Sequence, residues 1–159
     1  MYRNHFGFKN TPFTRDIPTG ELYRSRDIDE VVSRLVYAAE QQMFAVVTGN
    51  PGAGKTTLIR KFTAELPTSK FLTLYLSDSK LTPRHFYKSL LEQLGGEPRF
   101  YRGDAKRQLH KEIELLRIVH KKLPVVIVDE AHLLDREMLE EVRFLLNYRL
   151  ASYSTKALI

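Results

Sequence analysis

No cysteine occurs in the 159 residues of the chain. Neither a disulfide framework nor a thiolate metal centre is therefore available. That absence fits a reducing compartment, and a cytoplasmic location is expected. No apolar run approaches the length needed to cross a bilayer, so no integral membrane segment is expected. The opening Met-Tyr-Arg-Asn-His-Phe-Gly-Phe-Lys-Asn lacks the apolar core of a signal peptide. Internal repeats and low-complexity tracts are missing as well. What is present is a globular composition, 28% charged and 43% hydrophobic, in one domain's worth of chain. The formal net charge of +6 suits either a polyanionic partner or simple solubility.

The most informative stretch is Gly49, Asn50, Pro51, Gly52, Ala53, Gly54, Lys55 and Thr56, followed by Thr57. It fits G-x-x-x-x-G-K-[ST] at every fixed position. Glycines in this pattern let backbone N–H groups curl around nucleotide phosphates. The lysine supplies positive charge to the same oxygens, and the threonine hydroxyl is a Mg²⁺ ligand. The context agrees. Met43, Phe44, Ala45, Val46, Val47 and Thr48 form an apolar, β-branched run that predicts a buried parallel strand. After the loop, Leu58, Ile59, Phe62 and Leu66 recur at a helical period until Pro67. The loop thus opens a helix, whose N-terminus favours an anion.

A second motif is Val125-Val126-Ile127-Val128-Asp129-Glu130. Four apolar residues place Asp129 at the carboxyl end of a buried strand, where it can hold Mg²⁺ through a water. Glu130 is a second carboxylate, suited to polarising a water for in-line attack on a γ-phosphate. The candidate catalytic residues are Glu130 and Lys55, and the candidate Mg²⁺ residues are Thr56 and Asp129. His132, next in line, is read as a loop residue. Ser77 and Ser79, in the turn after the second strand, are either plain turn residues or partners that restrain Glu130.

Strands and helices alternate along the rest of the chain. Strands are expected over residues 71–76, 125–128 and, beginning at Lys156, the last four residues. Helices are expected from Asp27 or Asp29 to about Gln42, from Thr82-Pro83 to Gly95-Gly96, and over 104–122 and 136–150. The last of these is expected to bury Leu139, Val142, Leu145, Leu146 and Leu150. The alternation argues an α/β fold with a parallel sheet covered on both faces. Residues 1–26 carry the aromatics Tyr2, Phe6, Phe8, Phe13 and Tyr23, and this segment is expected to pack back on the domain. Arg99, Arg102, Lys106, Arg107, His110 and Lys111 cluster around Phe100 and Tyr101, with Lys121-Lys122 beyond. Basic charge with interleaved aromatics suits nucleic acid, and an ordinary solvated helix face is the alternative.

Taken together, Tyr2-Arg3-Asn4-His5-Phe6-Gly7-Phe8, Pro12-Phe13, the glycine-rich loop, Asp-Glu-Ala-His-Leu-Leu and the segment from Arg143 to Asn147 resemble the ExeA-like branch of AAA+ ATPases. That branch includes secretion-pathway ATPases and transposition ATPases similar to the phage Mu B protein. The resemblance implies a P-loop NTPase three-layer sandwich with strand order 5-1-4-3-2, binding ATP and Mg²⁺. It implies a homo-oligomer in the complete form, and, in the transposition reading, duplex DNA and a transposase as partners. It also implies that the 1–26 segment lies near the nucleotide, with Phe13 and Tyr23 as candidate adenine contacts. The family's fourth-strand sensor, fifth strand and helical lid lie beyond Ile159. The expectation is thus an incomplete AAA+ core over 1–159, with hydrolysis expected of the complete form. ATP-driven DNA transposition is the first functional expectation. A secretion-assembly ATPase and a nucleotide-binding remnant without turnover are the alternatives.

Overall fold

The structure, a computed structural model, describes residues 5–8, 17–21, 25–77, 81–147 and 157–158. Among the described residues, α-helices run over Arg26–Glu40 (α1), Lys55–Glu65 (α2), Pro83–Gln93 (α3), Arg102–Ile118 (α4) and Arg136–Asn147 (α5). Three strands, Phe71–Leu76 (β1), Leu123–Val128 (β2) and Ala157–Leu158 (β3), form one sheet in the order β1-β2-β3. All pairings are parallel, with Phe71 opposite Leu123, Leu76 opposite Val128, and Val125 opposite Ala157. In the implied order 5-1-4-3-2, these are strands 2, 3 and 4 as neighbours.

Side-chain alternation along the strands separates two cores. Phe71, Val125 and Ile127 pack with Val32, Leu35 and Ala39 of α1 and with Leu58 and Phe62 of α2. Leu74, Leu76 and Val126 point the other way, onto Phe86, Leu90 and Leu91 of α3, Leu109 and Ile113 of α4, and Met138 and Leu145 of α5. The sheet is therefore sandwiched between two helical layers, as an α/β P-loop NTPase fold requires.

Local chemistry explains the ends of the elements. Thr82 caps α3, its hydroxyl accepting from the His85 N–H at 3.3 Å, with Pro83 in the first turn. At the other end Gly95 takes φ +82°, and the Gly96 N–H reaches the Leu91 carbonyl at 2.9 Å, a Schellman closure. Asp27 and Asp29 do not cap α1. Ser25 occupies the cap position, and the aspartates sit in the first turn, where they meet the positive end of the helix dipole.

Two expectations are corrected. Residues 43–48 are an extended segment carrying a single bridge residue, Phe44, instead of a laddered strand. Ala45 and Val47 still pack inward, while Met43, Phe44 and Val46 are exposed. In the implied order its neighbour is β3, which among the described residues spans only Ala157–Leu158. The inner face of α5 is also rotated from the expected one. Met138, Glu141, Val142 and Leu145 are buried, and Leu139 is half exposed; the side chains of Leu146 and Leu150 lie outside the described residues. Of the N-terminal aromatics, Phe6 and Phe8 are exposed, with 5.8 Å between their ring centroids. Tyr2, Phe13 and Tyr23 lie outside the described residues. Ile17 is tied in, its carbonyl accepting from Arg60 of α2 at 2.9 Å.

Candidate functional site

The glycine-rich loop runs directly into α2. Gly52 and Gly54 hold φ of +79° and +83°, a left-handed region costly to residues with a Cβ. These two turns lift the chain from the extended segment into the helix. The first helical bond runs from the Leu58 N–H to the Gly54 carbonyl at 2.8 Å. The N–H groups of Lys55, Thr56 and Thr57 therefore precede the helical ladder and point out of its N-terminus. Lys55 closes the cradle: its Nζ donates to the Gly49 carbonyl at 2.9 Å and to the Asn50 carbonyl at 3.1 Å.

The second motif lies across the sheet edge. β2 delivers Asp129 one residue past its last strand residue, and the Asp129 N–H is fixed by the Leu76 carbonyl at 2.8 Å. Alternation along β2 puts Asp129 on the face of Val125 and Ile127, the face that α2 covers. Its Oδ1 accepts the Glu130 N–H at 2.9 Å, and its Oδ2 accepts the Tyr75 hydroxyl at 2.5 Å. Tyr75 also lines an open cavity of about 350 Å³ together with Thr56, Ile59, Arg60, Thr63 and Thr73. One tyrosine thus touches the carboxylate of the second motif and shares a cavity wall with the threonine of the first. Burial, its hydrogen bond to Asp129 and the charges of Asp129 and Glu130 push the Tyr75 phenol up to about 12. It remains a protonated donor at neutral pH.

Glu130 takes φ +53°, ψ +34°, an uncommon conformation for a residue with a side chain. Such strain costs on the order of 1–3 kcal/mol and gathers at functional sites. The turn Ala131–Leu133 follows at once, with the Leu133 N–H bonded to the Glu130 carbonyl at 2.9 Å. This bend brings His132 back onto Glu130, Nδ1 to Oε2 at 3.4 Å. Glu130 is thus faced by His132. Ser79 lies outside the described residues.

The residues present fit a magnesium nucleotide by their chemistry. A cluster of outward N–H groups, an ammonium and a helix N-terminus suit phosphate, while a hydroxyl and a carboxylate are the hard oxygen donors that Mg²⁺ takes.

Three cations of the basic cluster are engaged inside the molecule. Glu141 of α5, buried at 2% exposure, accepts from Tyr87, from Arg102 and from Lys106, the last at 3.1 Å. Arg102 also pairs with Glu137, and Arg107 pairs with Asp104 at 2.6 Å. His110 is buried. These three charges are thus engaged with carboxylates of the same chain. Phe100 and Tyr101 remain exposed, with the Arg84 guanidinium 4.2 Å from the Phe100 ring centre. Burial alone would raise the Glu141 carboxyl; the hydrogen bonds from Tyr87, Arg102 and Lys106 outweigh it, and the group is held below its ordinary value.

A parallel sheet between helical layers, with a phosphate loop and an acidic strand end on one face, defines the class: an α/β P-loop nucleotide-binding domain. Comparison with known families narrows this. The chain belongs to the AAA domain family, whose model matches residues 38–158. It is also 30% identical over 152 residues to the general secretion pathway protein A of Aeromonas hydrophila. That match covers 92% of this chain and 27% of the relative, so the chain spans about a quarter of that protein's length. Among the described residues, no helix is long and apolar enough to cross a membrane.

Proposed function

We propose that the chain binds ATP with Mg²⁺ through Gly49, Asn50, Pro51, Gly52, Ala53, Gly54, Lys55, Thr56 and Thr57, and that its complete form hydrolyses the nucleotide. The observation that carries this reading is the meeting of the two motifs through Tyr75, which lines a cavity with Thr56 and bonds Asp129. Lys55 and the N–H groups opening α2 receive phosphate oxygens. Thr56 and Asp129 hold Mg²⁺, which neutralises phosphate charge when bound. Glu130 accepts a proton from the attacking water as its oxygen bonds the γ-phosphorus and the bond to the β,γ-bridging oxygen breaks, giving ADP and phosphate.

For the work coupled to this reaction, the secretion-pathway relative moves the assembly-ATPase reading ahead of transposition. The pairing of Arg102, Lys106 and Arg107 with acidic side chains of the same chain points the same way. Homo-oligomerisation belongs to this reading, since assembly work in such ATPases is done by rings or clusters of subunits.

The test combines calorimetry with phosphate release. Lys55→Ala is expected to lose ATP binding, and unchanged ATP affinity would refute the site. Glu130→Gln is expected to keep ATP binding and lose turnover in the complete form; turnover equal to the parent would remove Glu130 as base. An ATP-stimulated, salt-sensitive shift of duplex DNA would restore transposition to first place.

A further inference from the structure

Tyr75 sits where β1 forms an outer strand of the sheet, and its backbone is held from outside by one side chain. The Tyr75 N–H donates to Gln93 Oε1 at 2.8 Å, and Gln93 Nε2 donates back to the Tyr75 carbonyl at 3.0 Å. The same Nε2 also reaches the Ser89 carbonyl at 3.2 Å, which fixes the carboxamide against α3. On the other side of the strand, the neighbouring Leu76 carbonyl takes the Asp129 N–H. Tyr75 and Asp129 are therefore locked to each other through the ladder before their side chains meet.

Their side chains then meet at 2.5 Å. Tyr75 is 36% exposed. What the bond settles is the rotation of the Asp129 carboxylate. Backbone bonding fixes the aspartate's Cα, and two hydrogen bonds, one to each oxygen, fix the group at its end. A carboxylate has about four acceptor positions, so each oxygen keeps one for an outside donor. The arrangement orients the carboxylate without saturating it.

We propose that Tyr75, anchored by Gln93, is a positioning residue that presets Asp129 toward Mg²⁺. The proposal rests on the reading of Asp129 as the Mg²⁺-ordering carboxylate. Partners of this kind behind a metal-binding carboxylate contribute about 10–100-fold to metal affinity.

Mn²⁺ is the probe, titrated into the full chain saturated with ADP, with free Mn²⁺ read by electron paramagnetic resonance. Tyr75→Phe keeps the ring and removes only the hydroxyl, and it is expected to weaken Mn²⁺ binding about tenfold. Gln93→Leu is expected to weaken it in the same direction by a few-fold. ADP affinity measured in EDTA is expected to stay at the parental value for both, which separates orientation from loss of fold. Parental or tighter Mn²⁺ binding in Tyr75→Phe overturns the proposal, as does an equal loss of ADP affinity in EDTA. Asp129→Asn distinguishes the two layers. If it leaves Mn²⁺ affinity unchanged, the Mg²⁺ reading of Asp129 falls and the proposal with it. If it weakens Mn²⁺ and Tyr75→Phe does not, only the positioning role falls.

Discussion

Replacing Glu141 by leucine removes the acceptor on which three donors from two other helices converge. Tyr87, on α3, is 1% exposed, and its hydroxyl is left buried without that acceptor. An orphaned buried donor costs about 1–3 kcal/mol. Arg102 and Lys106 fare better. Their side chains are 45% and 29% exposed, Arg102 keeps Glu137, and Lys106 keeps the Phe144 ring 4.2 Å away. Their lost charged bonds are discounted by solvent to about 1 kcal/mol together. The expected loss is about 3 kcal/mol, near the lower end for breaking a buried ion pair. In a chain of this size that lowers Tm by about 6–12 °C. Urea and thermal unfolding would measure it. The double variant Glu141→Leu with Tyr87→Phe removes the orphaned hydroxyl too, and should recover about 1–2 kcal/mol through coupling. Stability of Glu141→Leu within about 0.5 kcal/mol of the parent, or strict additivity in the cycle, would refute the reasoning.

The same cluster sets a pH dependence. The folded Glu141 carboxyl is held below its ordinary 4.5, so its contribution is present above that value and lost as pH falls through the folded one. The Tyr87 phenol is pushed up by burial and by Glu141, so its contribution is present below 10.0 and lost as pH rises beyond it. Melting curves across pH should show a plateau between these limits, with both shoulders flattened in the double variant. Gly54→Ala should cost about 1–2 kcal/mol, because φ at this residue is +83° although space for a Cβ is open; it should also weaken ATP in calorimetry. A variant as stable as the parent would show that the loop relaxes without strain.

Much of this molecule is visible in residue order alone. β1 runs over the expected 71–76, and β2 begins two residues earlier than expected, at Leu123, because Pro124 sits inside an otherwise apolar run. The glycine-rich loop and the acidic strand end are local patterns, legible in consecutive residues. What could not be read depends on partners distant in sequence. The extended segment at 43–48 has the composition of a strand, yet a ladder needs a neighbour of matching length. The inner face of α5 was misjudged because hydrophobic periodicity assigns a glutamate to solvent. Glu141 sits inside only because Arg102, Lys106 and Tyr87, dozens of residues away, meet it there. The signal was faint but present: Met138, Glu141, Val142 and Leu145 share helical spacing with a run of cations on α4. Tyr75 was hidden as one aromatic in an apolar strand, and its meeting with Asp129 follows from β1–β2 register, which no short pattern encodes.

The bond pair between Gln93 and Tyr75 has a consequence for solubility. A carboxamide presents an N–H and a C=O in the spacing of a peptide group, so Gln93 stands in at Tyr75 for a neighbouring strand on the side of β1 that carries none among the described residues. Open strand edges recruit strands from other molecules, and chains that persist at high concentration block them. Here a side chain from the helix that follows the strand occupies the edge at Tyr75. An incoming chain must displace it before it can add to the sheet. Where glutamine gives way to a residue without both groups, the same edge becomes a template for growth.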